Sequence, residues 1–436
     1  VSLVTVVGAG LAGSEAAWQL AQRGISVRLI EMRPQVTTPA HETGYFAELV
    51  CSNSLGSSLE SSAGGVLKKE LERMGSLIIS VAQEHRVPAG GALAVNREHF
   101  AQAVTERLLQ HPQIEIVHEE CTEIPEGVAV IATGPLTSPA LTDALKKVTR
   151  SDNLHFYDAA APIVLGESID YDRGFWAARY GKGTADYFNC PLTRAEYEEF
   201  IEALVTAEEA PLHEGDLGEA DLTVFEGCMP LEVMARRGKD ALRYGPFRPV
   251  GLLDPEGNRP YAVLQLRLEN TEASLFNLVG CQTRLKWGEQ KRVFGLIPAL
   301  RNAEYVRYGV MHRNTFINSP QVLKASFQCK DEKRLFMAGQ LTGVEGYVES
   351  TASGLLAGIN AARCVQGQEV LTLPQETMLG SLAHYIATAD PRHFQPMNAN
   401  FGILPLLDPP VRGKRERKLA YAKRALETLD EFWAEF

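Results

Sequence analysis

The feature that most constrains this chain lies in its first 31 residues. Residues 4–7 read as a buried strand, Gly8-Ala9-Gly10-Leu11-Ala12-Gly13 as a tight loop, residues 14–23 as a helix, and residues 26–30 as a second strand after a turn at Gly24. This is one βαβ unit built around a G-x-G-x-x-G, in the strand-before and helix-after context that such a loop needs. Gly8 permits the turn, Gly10 lets the backbone approach a pyrophosphate, and Gly13 lets helix and strand pack closely, while the helix N-terminus stabilises the anion. Glu31 closes the second strand, where a carboxylate accepts hydrogen bonds from ribose hydroxyls and repels a 2'-phosphate. The unit predicts the ADP half of FAD or NAD and argues against NADP at this position.

With 436 residues, 45% hydrophobic and 22% charged, the chain is long enough for two or three domains and an enclosed ligand. No stretch approaches the ~18 apolar residues of a membrane span, and the chain opens on a strand-like segment without a leader. A soluble cytoplasmic protein with no membrane contact is expected. Seven cysteines, no C-x-x-C, and a nearest pair 35 residues apart, Cys329 and Cys364, argue against a zinc ribbon or a disulfide framework. No metal site is expected, and a functional cysteine would act as a thiol. The formal charge of -11 argues against a protein that coats nucleic acid. A local patch remains open to it, because residues 412–424 hold Arg412, Lys414, Arg415, Arg417, Lys418, Lys423 and Arg424 against Glu416 alone.

Residues 33–65 are rich in Pro, Ser, Thr and Gly without a sustained period, as a functional loop would be. Helical patterns follow over residues 66–86 and 97–109, then an apolar strand at 128–132. From about residue 157 to 320 the chain turns to short strand candidates, aromatics and frequent Gly and Pro. A strand at 334–338, a loop at 339–347 and a small-residue helix at 350–364 resume the first pattern, and residues 414–436 alternate as an amphipathic helix. The expected fold is α/β: a Rossmann-type two-dinucleotide-fold FAD-binding domain in two parts, 1–156 and 326–436 with the C-terminal helix, around an inserted α+β domain at 157–325.

Two later segments choose between FAD and NAD. Val128-Ala129-Val130-Ile131-Ala132-Thr133-Gly134 resembles the strand-to-A-T-G signature of two-dinucleotide-fold flavoproteins. Leu335-Phe336-Met337-Ala338-Gly339-Gln340-Leu341-Thr342-Gly343-Val344-Glu345-Gly346-Tyr347 resembles their C-terminal flavin segment, which leads into a helix facing the isoalloxazine. Together they favour FAD and add Gly134, Gly339 and Gly343 to the cofactor-binding set of Gly8, Ala9, Gly10, Leu11, Ala12, Gly13 and Glu31.

A closer resemblance runs along nearly the whole chain. It is carried by Glu31-Met32-Arg33-Pro34, Cys51-Ser52-Asn53-Ser54-Leu55, Val87-Pro88-Ala89-Gly90-Gly91-Ala92-Leu93-Ala94-Val95, Phe225-Glu226-Gly227-Cys228-Met229-Pro230, Gly280-Cys281-Gln282-Thr283, Tyr308-Gly309-Val310-Met311-His312-Arg313-Asn314-Thr315 and the 339–347 loop. In this order they resemble the folate- and FAD-dependent tRNA (uracil-5-)-methyltransferase family. The resemblance implies methylation of the T-loop uridine of tRNA, with FAD as carrier, NADPH (or NADH) as reductant and 5,10-methylenetetrahydrofolate as donor. It implies tRNA and folate as the partners, and no protein partner is evident. Cys228 matches the family's nucleophile, which adds to carbon 6 of uracil so that carbon 5 can attack an electrophilic methylene. Cys51 matches a second active-site cysteine that assists proton removal or holds the flavin adduct. Its polar Ser/Asn loop cannot be continuous core, which favours a functional thiol independently.

Cys121, Cys190, Cys329 and Cys364 read as buried small apolar residues, and Cys281 as a packing or folate-pocket residue. His312, Arg313 and Asn314 could meet folate or flavin, or be structural. Two rival readings stay open. One is the longer flavoprotein that modifies the tRNA wobble uridine; the other is a flavin-containing redox sensor or oxidoreductase without methyl transfer.

Overall fold

The computed structural model describes residues 3–435 apart from 39, 150–153, 160, 182, 211–228, 269–272, 310 and 393. Its centre is a five-stranded parallel sheet in the order Leu335–Met337, Ala129–Ile131, Leu3–Val7, Ser26–Glu31, Ile114–His118. The order places the first strand in the middle and reverses direction of travel beside it, which is the Rossmann arrangement and opens a crevice at the carboxyl ends of the strands. Val4, Val6, Leu29, Val130 and Phe336 are fully buried, as strands covered on both faces must be.

Helix Leu11–Gln22 leaves the glycine loop and packs against helix Tyr347–Val365. Their approach is close because the second helix turns small residues toward the first. A Cβ added to Gly354 would lie 2.1 Å from the Ala12 oxygen, and one added to Gly358 would lie 2.7 Å from the Ala16 oxygen. The small-residue composition of this helix is thus a steric requirement of the crossing.

The single helix expected over residues 66–86 is two helices, Ala63–Arg73 and Leu77–Glu84. Gly75 at φ +76 breaks the run, and Ser76 caps the second helix on the Ile79 N–H at 3.2 Å. Glu15, buried in the first helix, completes that cap: its carboxylate accepts from Ser76 Oγ at 2.7 Å, Ile78 N at 3.0 Å and Leu77 N at 3.2 Å. Glu70 does the same for helix Met378–Thr388, accepting from Met378 N at 2.7 Å and Leu379 N at 2.9 Å. Two buried carboxyl groups therefore sit on helix N-termini that would otherwise present unpaired donors.

A six-stranded antiparallel sheet holds the second core, in the order Phe175–Ala177, Tyr187–Leu192, Ala262–Leu268, Leu275–Leu278, Ile163–Leu165, Tyr305–Arg307. Helix Arg194–Thr206 covers it, opened by a capping box of Thr193 and Glu196. This core draws on residues between Val164 and Ala303, whereas the first draws on residues up to Leu145 and from Phe316 onward. The chain crosses between them twice, and the crossing strands Leu154–Ala159 and Met311–Phe316 pair antiparallel. No helix among the described residues is long and apolar enough to cross a membrane.

Candidate functional site

A groove enclosing about 1030 Å³, part of it open to solvent, runs along the carboxyl ends of the parallel strands. Gly8, Gly10, Leu11 and Ala12 line it, with Glu31 and Arg33 on one side, Thr133, Gly134 and Thr137 on another, and Gly339, Gln340, Tyr347 and Ser350 beyond. The three glycines of the loop have different surroundings. A Cβ on Gly13 would stand 1.7 Å from the Gly8 oxygen, and one on Gly8 2.6 Å from the Ala132 oxygen, so both positions are closed by packing. A Cβ on Gly10 would meet nothing within 4 Å. That direction opens into the groove, and helix Leu11–Gln22 behind it has no side-chain cap. Free space in front of uncapped helix N–H groups is what a pyrophosphate needs, so the residues present fit the ADP half of FAD.

Glu31 is buried and held from both sides. Its Oε2 accepts from Ala9 N at 2.8 Å, and its Oε1 accepts from Arg33 N at 3.0 Å and Arg33 Nε at 2.9 Å. Burial alone would raise its pKa; the hydrogen bond and charge of Arg33, with the two backbone N–H groups, outweigh it and hold the carboxyl below its ordinary range. Arg33, itself buried, reaches Glu48 Oε2 at 3.4 Å as well. Glu48 in turn accepts from Glu42 N at 2.8 Å and Thr43 N at 3.0 Å, which fixes the 33–50 loop over the groove. Oε1 is filled by its two donors, whereas Oε2 accepts only one and keeps a lone pair for a ribose hydroxyl.

The other cofactor-set residues sit as follows. Ala9 serves through its backbone, donating to Glu31 and accepting from Ala47 N at 2.9 Å. Gly339 lines the groove and its N–H donates to Ser353 Oγ at 2.7 Å. Gly343, in contrast, faces away: a Cβ there would lie 2.6 Å from Phe394 Cζ, and its carbonyl accepts from Met397 N at 2.9 Å. It shapes the loop without reaching the groove.

Cys51 lies at the Tyr347 end. Tyr347 Oη accepts from Cys51 N at 2.7 Å and from Ser52 N at 3.1 Å, across 296 residues of sequence. The phenol therefore ties the cysteine loop to the first residue of the helix that follows the flavin-like segment. From the other side, Arg267 of the inserted sheet donates to Asn53 Oδ1 at 3.0 Å and Ser52 Oγ at 2.9 Å, while Asn53 Nδ2 donates to Val95 O and Leu268 O. Both cores thus grip the three residues Cys51-Ser52-Asn53. Residue spacing holds no sign of these partners.

Cys228 lies outside the described residues. The chain resumes at Met229, and Leu231 N donates to Gln282 O at 2.7 Å, while the Glu232 carboxylate accepts from Thr283 Oγ1 at 2.8 Å and Arg284 N at 2.9 Å. The segment after Cys228 is in this way fastened to Gly280-Cys281-Gln282-Thr283. Cys281 itself is fully buried, and burial together with nearby Cys190 pushes its thiol far up, so packing is its role. Cys190 and Cys329 are buried as expected, and Cys364 is partly exposed. Cys121 departs from the expectation of core: it is half-buried, lines the groove, and donates to Glu123 O at 3.1 Å. The side chains of His312 and Arg313 lie outside the described part, and Asn314 is buried. No group of three or more His, Cys, Asp or Glu side chains among the described residues is placed to hold a metal ion.

Buried Lys68 donates to Ser57 O at 2.9 Å and Gly64 O at 3.2 Å. Burial pulls its pKa down to about 8 against the opposing charge of Glu349, whose own carboxyl burial raises. Neither residue was singled out by sequence, since a lysine in a helix reads as solvated.

The family model of glucose inhibited division protein A matches residues 3–369. A Brevibacillus brevis protein named methylenetetrahydrofolate-tRNA-(uracil-5-)-methyltransferase TrmFO is 59% identical over 433 residues, 99% of this chain and 98% of its own. A Pelotomaculum thermopropionicum protein of the same name is 61% identical over 431 residues, 98% of each chain. Among solved structures, Aquifex aeolicus GidA in its form II crystal superposes with a TM-score of 0.70 at 17% identity, covering 98% of this chain and 73% of that one, which is a likeness of fold. The chain belongs to the glucose inhibited division protein A family and, within it, to the methylenetetrahydrofolate-tRNA-(uracil-5-)-methyltransferases.

Proposed function

We propose that the protein methylates carbon 5 of the T-loop uridine of tRNA, taking the one-carbon unit from methylenetetrahydrofolate and reducing equivalents from NADPH or NADH through FAD. The observation that carries this reading is the joining of the Cys51 loop to the dinucleotide groove by Tyr347, in a chain that matches methyltransferases of that name from end to end. Bound in the groove, FAD supplies the redox chemistry that turns a folate methylene into a methyl group.

The protein's own part is positional and acid-base. The Gly8 to Gly13 loop and the N-terminus of helix Leu11–Gln22 would hold the pyrophosphate, and Glu31 the adenosine ribose. Cys228, as a thiolate, adds to carbon 6 of uracil and makes carbon 5 nucleophilic; Cys51 removes the carbon 5 proton once the new bond has formed, and the electron pair left there expels the Cys228 thiolate from carbon 6. Tyr347 and Arg267 hold the Cys51 loop still for that transfer. In this reading the nicotinamide reductant and the folate use one site in turn, since each has to meet the same flavin.

The exposed Arg412, Lys414, Arg415 and Arg417 open helix Lys414–Trp433, where cations face the positive end of the helix dipole. We assign this end to tRNA contact. Arg424 does not take part, because its guanidinium donates to Leu406 O at 2.9 Å and Pro405 O at 2.6 Å. Relatives that carry the (uracil-5-)-methyltransferase name match this chain over nearly their full length at 59% and 61% identity, which favours the T-loop reading over wobble modification. Holoenzyme supplied with reductant, tRNA and isotopically labelled methylenetetrahydrofolate should place label in 5-methyluridine. Label absent from the tRNA refutes the reading.

A further inference from the structure

The inserted sheet carries a surface that neither the groove nor the cysteine loop uses. Tyr180, 55% exposed, stands at φ 61, ψ 21, a left-handed conformation that is strained for a non-glycine residue. It is held there by its own N–H donating to Gly251 O at 2.7 Å, with its ring across the face of Gly251, where a Cβ would come within 2.8 Å of Cε1. Arg248 is exposed and donates to Tyr180 Oη at 3.3 Å. Beside it, Arg179 donates to Arg248 O and Val250 O, each at 2.7 Å, and to Gln265 Oε1 at 3.0 Å.

No carboxylate among the described residues pairs with either arginine, and their like charges oppose one another. In a protein of net charge -11 such an arrangement has to be maintained by the fold. Arg179 is spent on carbonyls and keeps the 248–250 loop rigid, which leaves the Arg248 guanidinium and the Tyr180 ring facing solvent together. A guanidinium for phosphate next to a fixed aromatic face for a base is the pairing that unstacked nucleic acid strands require.

The patch is also in register with the reaction site. Gln265, which Arg179 holds, donates in turn to Asn189 Oδ1 at 2.9 Å, and lies two residues before Arg267 on strand Ala262–Leu268. Alternate residues of a strand share a face, so Gln265 and Arg267 lie about 7 Å apart on one side of the sheet. Arg267 grips Ser52 and Asn53 beside Cys51. On the same flank, Asp186 Oδ2 accepts from Gly90 N at 2.6 Å and Tyr187 Oη donates to Ala89 O at 3.4 Å, which fastens the start of strand Tyr187–Leu192 to the turn at Ala89 and Gly90.

We infer that Arg248 and Tyr180, positioned by Arg179, form a docking surface for loop nucleotides of tRNA that flank the target uridine, Arg248 on a phosphate and the Tyr180 ring on a base. The inference rests on the tRNA methylation proposed above. The FAD-loaded enzyme carrying Arg248→Ala should bind tRNA roughly five- to tenfold more weakly near 0.1 M salt, and the slope of log K against log salt should flatten by about 0.7 to 0.9, one phosphate contact. Arg248→Lys should restore that slope. Tyr180→Gly, which relieves the backbone strain and so favours folding, should raise the KM for tRNA about tenfold with kcat and salt slope retained. Wild-type enzyme that neither binds nor methylates tRNA would remove the functional reading itself. Wild-type methylation together with unchanged affinity, slope and KM in both Arg248→Ala and Tyr180→Gly overturns the docking surface alone.

Discussion

Replacing Gly10 with valine separates folding from cofactor binding. Gly10 has φ -71 and ψ -169, extended backbone that any residue adopts, and a Cβ there meets nothing within 4 Å. Without ligand, the substitution costs only the preference for glycine over valine at a helix N-cap, about 1 kcal/mol or less. With ligand, the valine side chain fills the space in which a pyrophosphate would meet the helix N-terminus. Loss of two or more charge-assisted hydrogen bonds at about 1.5 to 3 kcal/mol each predicts FAD affinity lower by a factor of at least about 10². Gly13→Ala is the control, because its Cβ would lie 1.7 Å from the Gly8 oxygen and the loop must move to admit it. That variant should lose stability, by about 3 kcal/mol or more. Thermal unfolding of the apoprotein and flavin absorbance after reconstitution measure the two effects. Gly10→Val protein that binds FAD like the wild type refutes the reasoning.

Tyr347→Phe removes the acceptor of the Cys51 and Ser52 N–H groups, at a cost of about 1 to 3 kcal/mol, and frees the cysteine loop. Methyl transfer should fall about 10²-fold with FAD content retained; an unchanged kcat argues against the tether. Glu70→Gln addresses pH: burial pushes the Glu70 carboxyl up to about 8 against the N–H groups of Met378 and Leu379. A raised acid stabilises the fold below its unfolded pKa and loses that contribution as pH rises through the folded one. Wild type should therefore lose stability between about pH 4.5 and 8, by at most about 1.4 kcal/mol per unit, in a way the glutamine variant does not; parallel unfolding profiles would contradict this. Replacing Arg415, Arg417 and Lys418 with Ala should weaken tRNA binding and flatten its salt dependence, and unchanged affinity would remove the C-terminal helix from the interface.

The dinucleotide unit was legible because every requirement is local. Strand, glycine loop, helix and Glu31 fall within 31 residues; Gly13 answers to Gly8, Gly8 to Ala132 at the end of the adjoining strand, and Gly10 to open space. The split at Gly75 was hidden, since a glycine inside a helical pattern is tolerated unless something caps the next helix, and here the cap is completed by Glu15, some 60 residues earlier. The order of the inserted sheet was equally hidden: Ile163–Leu165 pairs between Leu275–Leu278 and Tyr305–Arg307, a choice made by packing over more than a hundred residues. Cys51 could be singled out from its polar loop, but its fastening by Tyr347 and by Arg267 through its neighbours joins residues over 200 apart. Cys121 read as core because its sequence neighbours say nothing of the groove it lines.

In the proposed chemistry Cys228 and Cys51 both act on uracil as thiols. Single-turnover transfer from labelled methylenetetrahydrofolate to tRNA, with reduced holoenzyme carrying Cys228→Ala or Cys51→Ala separately, tests it most directly. Each variant should keep its FAD, and neither should place label in 5-methyluridine on the wild-type timescale. Full transfer by the Cys228→Ala enzyme would contradict the nucleophile assignment and with it the proposed chemistry.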